Sequence, residues 1–308
     1  MVNDRMIHKS KFKWGQLKQQ LPFHILLIPA LIYVIIFQYI PLYGVIIAFE
    51  KYNPKTLFAS PWVGLDNFIY IFNLPGFLRT IRNTVFIAVL KIIGNLAVPI
   101  IFSLMLNEIR TSLLKRTAQT FVYLPHFVSW VIMAGIIQDI FDRSGIINNL
   151  IISMNGTSVD FLGDTKWFPR VIVITDVWKN FGFNTIVYMA ALTGIDPTLY
   201  EASAIDGAGR WKQTLHVTIP GMLSIIILKT TLSLGEVLHA GFEQIFNLYT
   251  PIVYETGDII DTFVYRLGIE QAQYSASTAV GLFKSLISLI LIGISYYLAD
   301  KKAGYRIF

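Results

Sequence analysis

Two series of polar and ionisable residues lie inside long apolar stretches of the sequence. Asn180, Asn184 and Tyr188 recur every four residues, so a helix would carry them on one face. The residues that recur every seven positions are Lys229, Glu236 and Glu243. Ionisable residues inside a membrane usually face a bundle interior or a wet cavity, so both series are candidates for binding a polar solute on its way through. The alternative is that they form hydrogen bonds between helices or contact another subunit.

The sequence has no pattern typical of an enzyme. It contains no cysteine, which excludes disulfides, thiolate metal sites and cysteine nucleophiles. Its five histidines have none of the spacings of a metal site, and no GxxxxGK[ST] segment is present to bind nucleotide phosphates. We therefore expect no catalysis, no metal and no cofactor in this chain. The net charge of +6 is spread beside apolar runs and forms no single patch, so we also expect no nucleic-acid partner.

Six apolar stretches are long enough to cross a bilayer, which needs about 20 mostly apolar residues in a helix. Apolar residues make up 54% of the chain and charged residues 14%, against roughly 25% charged in soluble domains. The predicted spans are residues 23–49, 80–106, 118–140, 169–193, 221–242 and 276–299. The first is too long for a cleaved signal peptide, so we interpret it as retained. The sequence thus predicts an all-α polytopic bundle of six transmembrane helices.

The positions of lysine and arginine predict which side of the membrane each connector faces. With the N-terminus inside, the inner segments contain 13 basic and 6 acidic residues, and the outer connectors contain 6 basic and 10 acidic residues. We therefore expect a cytoplasmic N-terminal segment 1–22, a transmembrane domain 23–299 and a cytoplasmic tail 300–308. The loop 194–220 is then cytoplasmic. Lys91 and Lys284 fall within predicted spans, and the sequence does not indicate their partners.

The loop 194–220 has the pattern of two short helices separated by a glycine. Asp196 is a typical N-cap and Pro197 a typical first helical residue. Gly207 can adopt the positive φ that ends a helix, and a second short helix is expected to end before Pro220. The residues that we single out as contacts with a partner are Glu201, Ala202, Ser203, Asp206, Gly207, Ala208 and Pro220. An amphipathic loop that lies on lipid headgroups is the alternative interpretation.

This loop resembles the EAA loop of ABC-importer permeases, which reads Glu-Ala-Ala, three residues, Gly, nine residues and then Ile-x-Leu-Pro. Ser203 takes the third position here, and Val217 and Ile219 fill the aliphatic positions. Residues 38–44, 60–68 and 82–84 resemble carbohydrate permeases related to the maltose-importer subunits. Residues 124–130, 241–249 and 258–262 resemble the LplB-like branch, which includes subunits that import alginate or pectin-derived oligosaccharides.

The resemblance implies a type I ABC importer permease in the bacterial cytoplasmic membrane, forming half of an oligosaccharide pathway surrounded by membrane lipid. Its implied partners are a second homologous permease, two copies of a cytosolic ATPase that binds ATP and Mg²⁺, and an extracytoplasmic solute-binding lipoprotein. Glu201 would supply a charge where the ATPase docks, and Gly207 would permit the bend. A permease for a non-sugar solute remains the alternative, and the charges of the predicted spans do not distinguish an acidic from a neutral cargo.

Overall fold

A computed structural model describes residues 14–56 and 60–303 of the chain. Residues 1–13 of the predicted N-terminal segment and residues 304–308 of the predicted tail lie outside the described residues. Helices dominate the described part, and its only β pairing is an isolated bridge between Glu50 and Trp62. The structure therefore confirms the all-α class.

The chain divides into two compact units, residues 1–47 and 48–308. The described part of the first unit contains α1 (Trp14–Val34), a π-helical turn (Ile35–Tyr39), α2 (Ile40–Leu42) and the start of a 3-10 segment (Tyr43–Phe49). The second unit contains α3 (Asp66–Asn73), α4 (Phe77–Glu108), α5 (Ser112–Tyr123), α6 (Trp130–Phe141), α7 (Ile146–Ser153), α8 (Phe168–Thr193), α9 (Pro197–Ile205), α10 (Arg210–Gln213), α11 (Ile219–Gly235), α12 (Phe242–Leu248), α13 (Tyr254–Gly257), α14 (Ile260–Tyr265) and α15 (Tyr274–Ala303).

Four helical segments of the described residues can cross a membrane by length and composition. They are Leu21–Phe49, Phe77–Glu108, Arg210–Gly235 and Tyr274–Tyr297, and a bent helix pair raises the number to five. The predicted spans 23–49, 80–106 and 276–299 correspond to three of them. Helix α8 matches the predicted span 169–193 in its bounds, but its ionisable residues lower its apolar character. A membrane helix bundle is confirmed, with four or five such spans where the sequence predicted six.

The third predicted span, 118–140, is not one continuous helix, so the prediction of a single helix there is wrong. Helix α5 continues through a 3-10 turn to Phe127, and the next helix starts at Trp130 after a bend of 107°. Ser129 caps the second helix, because its hydroxyl accepts a hydrogen bond from the backbone N–H of Ile132 at 3.4 Å. The chain therefore turns sharply where the apolar pattern alone predicts a straight rod.

The side chain of Lys179 on α8 stabilises this bend. Its ammonium group donates to the backbone carbonyls of Pro125, His126 and Val128 at 3.2, 2.7 and 2.7 Å. It also lies 5.3 Å from the ring centroid of Trp130. The last carbonyls of a helix have no intrahelical donor, and an ammonium group has three donors, so the residue is satisfied although only 5% exposed.

The fifth predicted span, 221–242, differs from the structure at both ends. Helix α10, a π-helical turn (Thr214–Thr218) and α11 form one continuous segment from Arg210 to Gly235. The prediction that a short helix ends before Pro220 is therefore wrong. Proline normally breaks a helix because its ring clashes with the carbonyl four residues earlier. The wider turn, in which the N–H of Ile219 bonds to the carbonyl of Thr214, accommodates the ring.

The same arrangement occurs in the first unit. Pro41 follows the π-helical turn Ile35–Tyr39, and the N–H of Ile40 bonds to the carbonyl of Ile35. In both segments the π turn begins six residues before the proline. This spacing explains how two apolar helices retain an internal proline without a break.

Helix α8 packs closely on its neighbours at two glycines. A Cβ atom on Gly94 of α4 would lie 2.4 Å from Cγ2 of Val177, and one on Gly182 would lie 2.0 Å from the carbonyl oxygen of Val122. Small residues at helix contacts allow backbones to approach, which favours association where no water is present. Helix α8 is therefore held between α4 and α5, and its polar residues must find partners there.

We predict that Lys179→Met destabilises the purified transporter complex. Three carbonyls at the bend would lose the ammonium group as a donor, of which that of Pro125 keeps the N–H of Val128, and an unsatisfied buried polar group costs about 1–3 kcal/mol. The midpoint of thermal unfolding should fall by several degrees relative to the wild type. Lys212→Met is the control, because this lysine is exposed on α10 and its side chain has no hydrogen bond or ion pair among the described residues. Equal midpoints for the two variants would contradict the role of Lys179.

Candidate functional site

A polar cavity of about 260 Å³ lies between α4, α8 and the C-terminal end of α11. Its wall consists mainly of amide, hydroxyl and ionisable side chains. These are Lys91, Asn95, Asp176, Asn180, Asn184, Lys229, Ser233, Glu236 and His239. Such a concentration of polar groups among membrane-spanning helices is typical of a solute pathway.

Lys91 joins three parts of the structure at one edge of this cavity. Its ammonium group lies 3.2 Å from a carboxylate oxygen of Asp176 and donates to the carbonyl of Ala240 at 2.7 Å and to Oε1 of Gln244. The backbone beside it needs glycine, because Gly241 has a φ of +91° and a Cβ there would lie 2.8 Å from Lys91 Nζ. The charge of Lys91 is therefore fully partnered inside the protein.

A chain of hydrogen bonds continues from Asp176 along the cavity wall. Asn95 Nδ2 donates to Asp176 Oδ2 at 2.8 Å, and Asn184 Nδ2 donates to Asn95 Oδ1 at 3.3 Å. Asn180 Oδ1 lies 3.1 Å from Nδ1 of His126. Asn180 Nδ2 and Asn184 Oδ1 make no hydrogen bond within residues 14–56 and 60–303. Each of these two asparagines thus keeps capacity for a ligand.

Lys229 and Glu236 line the cavity from α11 and its C-terminal cap. Neither side chain has an ion pair or hydrogen bond in the described part of the chain. Glu236 is exposed and Lys229 is half-buried. His239 is in the turn that follows, and its Nδ1 lies 3.5 Å from Lys284 Nζ. An ammonium and a carboxylate are therefore available to a solute from this side.

The structure places Tyr188 away from the cavity. Its side chain has no exposed surface and packs against Leu192 and Met222, and its hydroxyl has no hydrogen-bond partner among the residues that the structure describes. Asn180 and Asn184 line the cavity, so the predicted stripe on α8 is divided. The first two residues reach a polar space and the third lies between helices.

The predicted common face of Lys229, Glu236 and Glu243 does not exist, and that prediction is wrong. Helix α11 ends at Gly235, and Gly241 introduces a positive φ before α12. Glu243 consequently lies in the first turn of another helix, is exposed and does not line the cavity. A spacing of seven residues places side chains on one face only if the helix is continuous.

Sequence reasoning missed several wall residues and the partners of the two lysines in predicted spans. Asn95 lies one turn after Lys91 on α4, a spacing that could have revealed a second polar stripe. His126 and His239 lie in turns that the apolar pattern did not predict. Lys284 pairs with Asp261, so neither Lys91 nor Lys284 is free within the described residues.

The loop 194–220 contains the predicted cap. Asp196 accepts a hydrogen bond from the N–H of Thr198 at 2.9 Å, and Pro197 begins α9. The hydrogen bond from the Thr198 backbone stabilises the carboxylate and lowers the pKa of Asp196. This capping confirms that the loop begins with a short helix.

Gly207 ends α9 with a φ of +75°. The N–H of Gly207 bonds to the carbonyl of Ala204 at 3.0 Å, and the N–H of Ala208 bonds to the carbonyl of Ser203 at 2.9 Å. This pattern is a Schellman-type end, which favours glycine because other residues are strained at positive φ. A Cβ on Gly207 would meet nothing within 4 Å among the described residues, so the requirement is conformational and not steric.

The loop presents apolar side chains outwards while polar contacts hold it to the bundle. Ile205 is 87% exposed and Trp211 is 74% exposed. Tyr200 OH lies 3.0 Å from the hydroxyl of Thr218, and Arg210 forms a 3.0 Å ion pair with Glu108 at the end of α4. Among the predicted contact residues, Glu201, Ala202, Asp206 and Pro220 are exposed, and Ser203 and Ala208 are half-buried.

The family model of the binding-protein-dependent transport system inner membrane component matches residues 95–304. The chain belongs to this family. This permease is 44% identical to Protein LplB of Bacillus subtilis (strain 168), covering 92% of this chain and 90% of that protein. It is 39% identical to the polygalacturonan/rhamnogalacturonan transport system permease protein YteP of the same organism, covering 93% and 90%. Its relatives are ABC transporter permeases, so the chain is a permease subunit and not an enzyme.

Two solved structures have the same fold. One is a bacterial ABC transporter involved in the import of the acidic polysaccharide alginate, with a TM-score of 0.87 and 35% identity over 94% of this permease and 98% of that chain. The other is a bacterial alginate ABC transporter in complex with an alginate pentasaccharide-bound periplasmic protein, with a TM-score of 0.87 and 34% identity. These likenesses confirm the ABC-importer permease fold.

We predict that Lys91 and Asp176 are energetically coupled. Lys91→Met or Asp176→Leu alone leaves an uncompensated buried charge, which typically costs about 3–5 kcal/mol, whereas the double variant removes both charges. The double variant of the purified complex should therefore have a higher midpoint of thermal unfolding than the sum of the single changes predicts. Additive losses in this double-mutant cycle would show that the two residues do not depend on one another.

Proposed function

We propose that this permease forms half of the translocation pathway of an ATP-driven, binding-protein-dependent importer of oligosaccharides. The observation that carries the proposal is the polar cavity. Asn180 and Asn184 line it from α8, and Lys229 and Glu236 line it from α11 and its C-terminal cap. Sugar hydroxyls both donate and accept hydrogen bonds, and such a mixed set of groups suits them. The names of the similar permease YteP and of the alginate transporter agree with a saccharide cargo.

We also propose six membrane spans with both termini in the cytoplasm of a bacterial cell. In this arrangement α8 and the bent pair α5–α6 each count as one span in addition to the four apolar helices. The excess of lysine and arginine in the inner segments supports this orientation. The loop 194–220 then faces the cytoplasm, and the loops beyond Phe141 and Leu248 face outwards.

The proposed assembly contains a second, homologous permease, two copies of a cytosolic ATPase and a solute-binding lipoprotein outside the membrane. ATP and Mg²⁺ belong to the ATPase, because this chain has no phosphate-binding glycine-rich loop. The periplasmic protein in the related alginate structure supports an external binding partner.

The exposed ridge of the loop 194–220 is proposed to dock into the ATPase. Ile205 and Trp211 offer apolar contact area on either side of Gly207, and Glu201 adds an exposed carboxylate. Aromatic anchors surrounded by small residues are typical of interface centres. Arg210 links this ridge to α4 through Glu108, so a movement of the ATPase can reach the bundle.

We predict that Gly207→Val impairs coupling, whereas Gly209→Val does not. A Cβ atom at either position would have no neighbour within 4 Å in the described part of the chain, but Gly207 has a φ of +75° and Gly209 has a φ of −69°. A side chain in the left-handed region costs about 1–2 kcal/mol, which corresponds to about a fivefold to thirtyfold loss of the docking conformation. Uptake and substrate-stimulated ATP hydrolysis of the assembled complex should fall accordingly. Equal activities of the two variants would contradict the coupling role.

We predict that Asn184→Ala and Glu236→Gln alter transport while leaving assembly intact. Each lost hydrogen bond to a neutral partner is worth about 0.5–1.5 kcal/mol, so the oligosaccharide concentration for half-maximal uptake should rise severalfold. Tyr188→Phe is the control, because it removes a buried hydroxyl that makes no hydrogen bond within the described part of the chain. The measurement is uptake of labelled neutral and acidic oligosaccharides, amino acids and peptides by cells with the intact transporter.

Unchanged uptake of every oligosaccharide in both cavity variants would contradict the pathway assignment. Uptake of amino acids or peptides but of no oligosaccharide would support the alternative, a permease for a non-sugar solute. Loss of assembly in Asn184→Ala alone would indicate that its bond to Asn95 is structural.

A further inference from the structure

A second cavity, of about 420 Å³, lies beside the N-terminal ends of α4 and α8. Three cations surround it: Arg82, Lys166 and Arg170. None of them forms a salt bridge within the described residues, and no aspartate or glutamate lines the cavity. This concentration of unpaired positive charge points to an anionic ligand.

The cavity changes from charged to apolar along the axis of α4. Arg82, Phe86 and Leu90 follow one another every four residues, so they form one stripe about 12 Å long on α4. Phe86 is 55% exposed. Pro169 lines the cavity from α8. A ligand that fills this cavity has an anionic end near the helix termini and an apolar body beside the helices.

Hydrogen bonds between segments fix the walls of this cavity. Asn83 Nδ2 donates to the carbonyl of Glu255 at 3.0 Å, and the Thr256 hydroxyl donates to the carbonyl of Thr165 at 2.6 Å. Gly257 lies against Phe168, since a Cβ there would be 2.3 Å from the ring. The cavity is thus part of the folded bundle and does not depend on a flexible loop.

We propose that this cavity binds an anionic phospholipid, with the phosphate near Arg82, Lys166 and Arg170 and an acyl chain beside Phe86 and Leu90. Guanidinium groups bind phosphate oxygens in pairs, so the two arginines suit the phosphate of an anionic headgroup. The guanidinium of Arg170 also lies 5.1 Å from the ring centroid of Trp167. Tryptophan and arginine near helix ends are typical of the membrane interface, where a headgroup lies.

The test measures lipid bound to the delipidated, assembled transporter by native mass spectrometry. Phosphatidylglycerol should bind more tightly than phosphatidylcholine with the same acyl chains. Arg82→Gln and Arg170→Gln should each weaken phosphatidylglycerol binding about fivefold, and the double variant by about tenfold or more. Arg79→Gln should leave it unchanged, because this arginine is exposed on the first turn of α4 but does not line the cavity.

Four outcomes would overturn the proposal. The first is that both lipids bind equally tightly, and the second is that Arg79→Gln loses as much lipid affinity as the cavity variants. The third is tight binding of glycerophosphoglycerol, which has no acyl chains. The fourth is that the cavity variants weaken affinity for the external binding protein but not for lipid. The third would indicate a site for soluble phosphates, and the fourth a protein contact. If a variant does not assemble, lipid binding to the wild-type transporter is compared at low and high salt. Its phosphatidylglycerol binding should weaken between about 0.05 and 0.5 M salt while phosphatidylcholine binding stays constant, and an absence of this difference also overturns the proposal.

Discussion

The structure depends on the partnering of two ionisable residues of α8, Asp176 and Lys179. Asp176 meets Lys91 and Asn95 of α4, and Lys179 donates to three carbonyls at the bend between α5 and α6. An isolated charge among apolar helices is expensive, so each contact specifies where a neighbouring segment must lie. The two residues, three positions apart, thereby fix both α4 and the bend against α8. The polar cavity is the space left between the partnered groups and α11.

One continuous helical segment connects the loop 194–220 to this cavity. It extends from Arg210, which pairs with Glu108, to Gly235, a length of about 39 Å. Lys229 and Glu236 lie at the far end of this segment. Because the π-helical turn preserves the helix through Pro220, a displacement of the loop can move these two side chains without a hinge. A helix broken at Pro220 would have separated the loop from the cavity mechanically.

Features set by local chemistry were predictable, and features set by distant partners were not. Asp196 caps the start of α9, and Gly207 ends it with a positive φ. Both effects are local, so the sequence predicted both ends of this helix. The bend within 118–140 has a local cap in Ser129, but the donor that stabilises it, Lys179, lies about 50 residues away in the chain, and the apolar pattern indicates neither. The common face through Glu243 failed for a related reason, since the end of α11 is not encoded in the spacing of polar residues.

The polar residues in the spans separate into two classes by their partners and not by their helical face. Lys91 and Lys179 are buried and Asp176 is half-buried, and all three are engaged by partners, so their charges stabilise the bundle and contribute little to a solute. Lys229 and Glu236 line the same space without a partner among the described residues, and they retain the hydrogen-bonding capacity that a solute needs when it leaves water. The periodic stripes of the sequence mix both classes. The spacing of residues shows on which face of a helix a side chain lies, but not whether its hydrogen-bonding groups have partners. The number of hydrogen bonds that a side chain still lacks is therefore the better guide to the pathway.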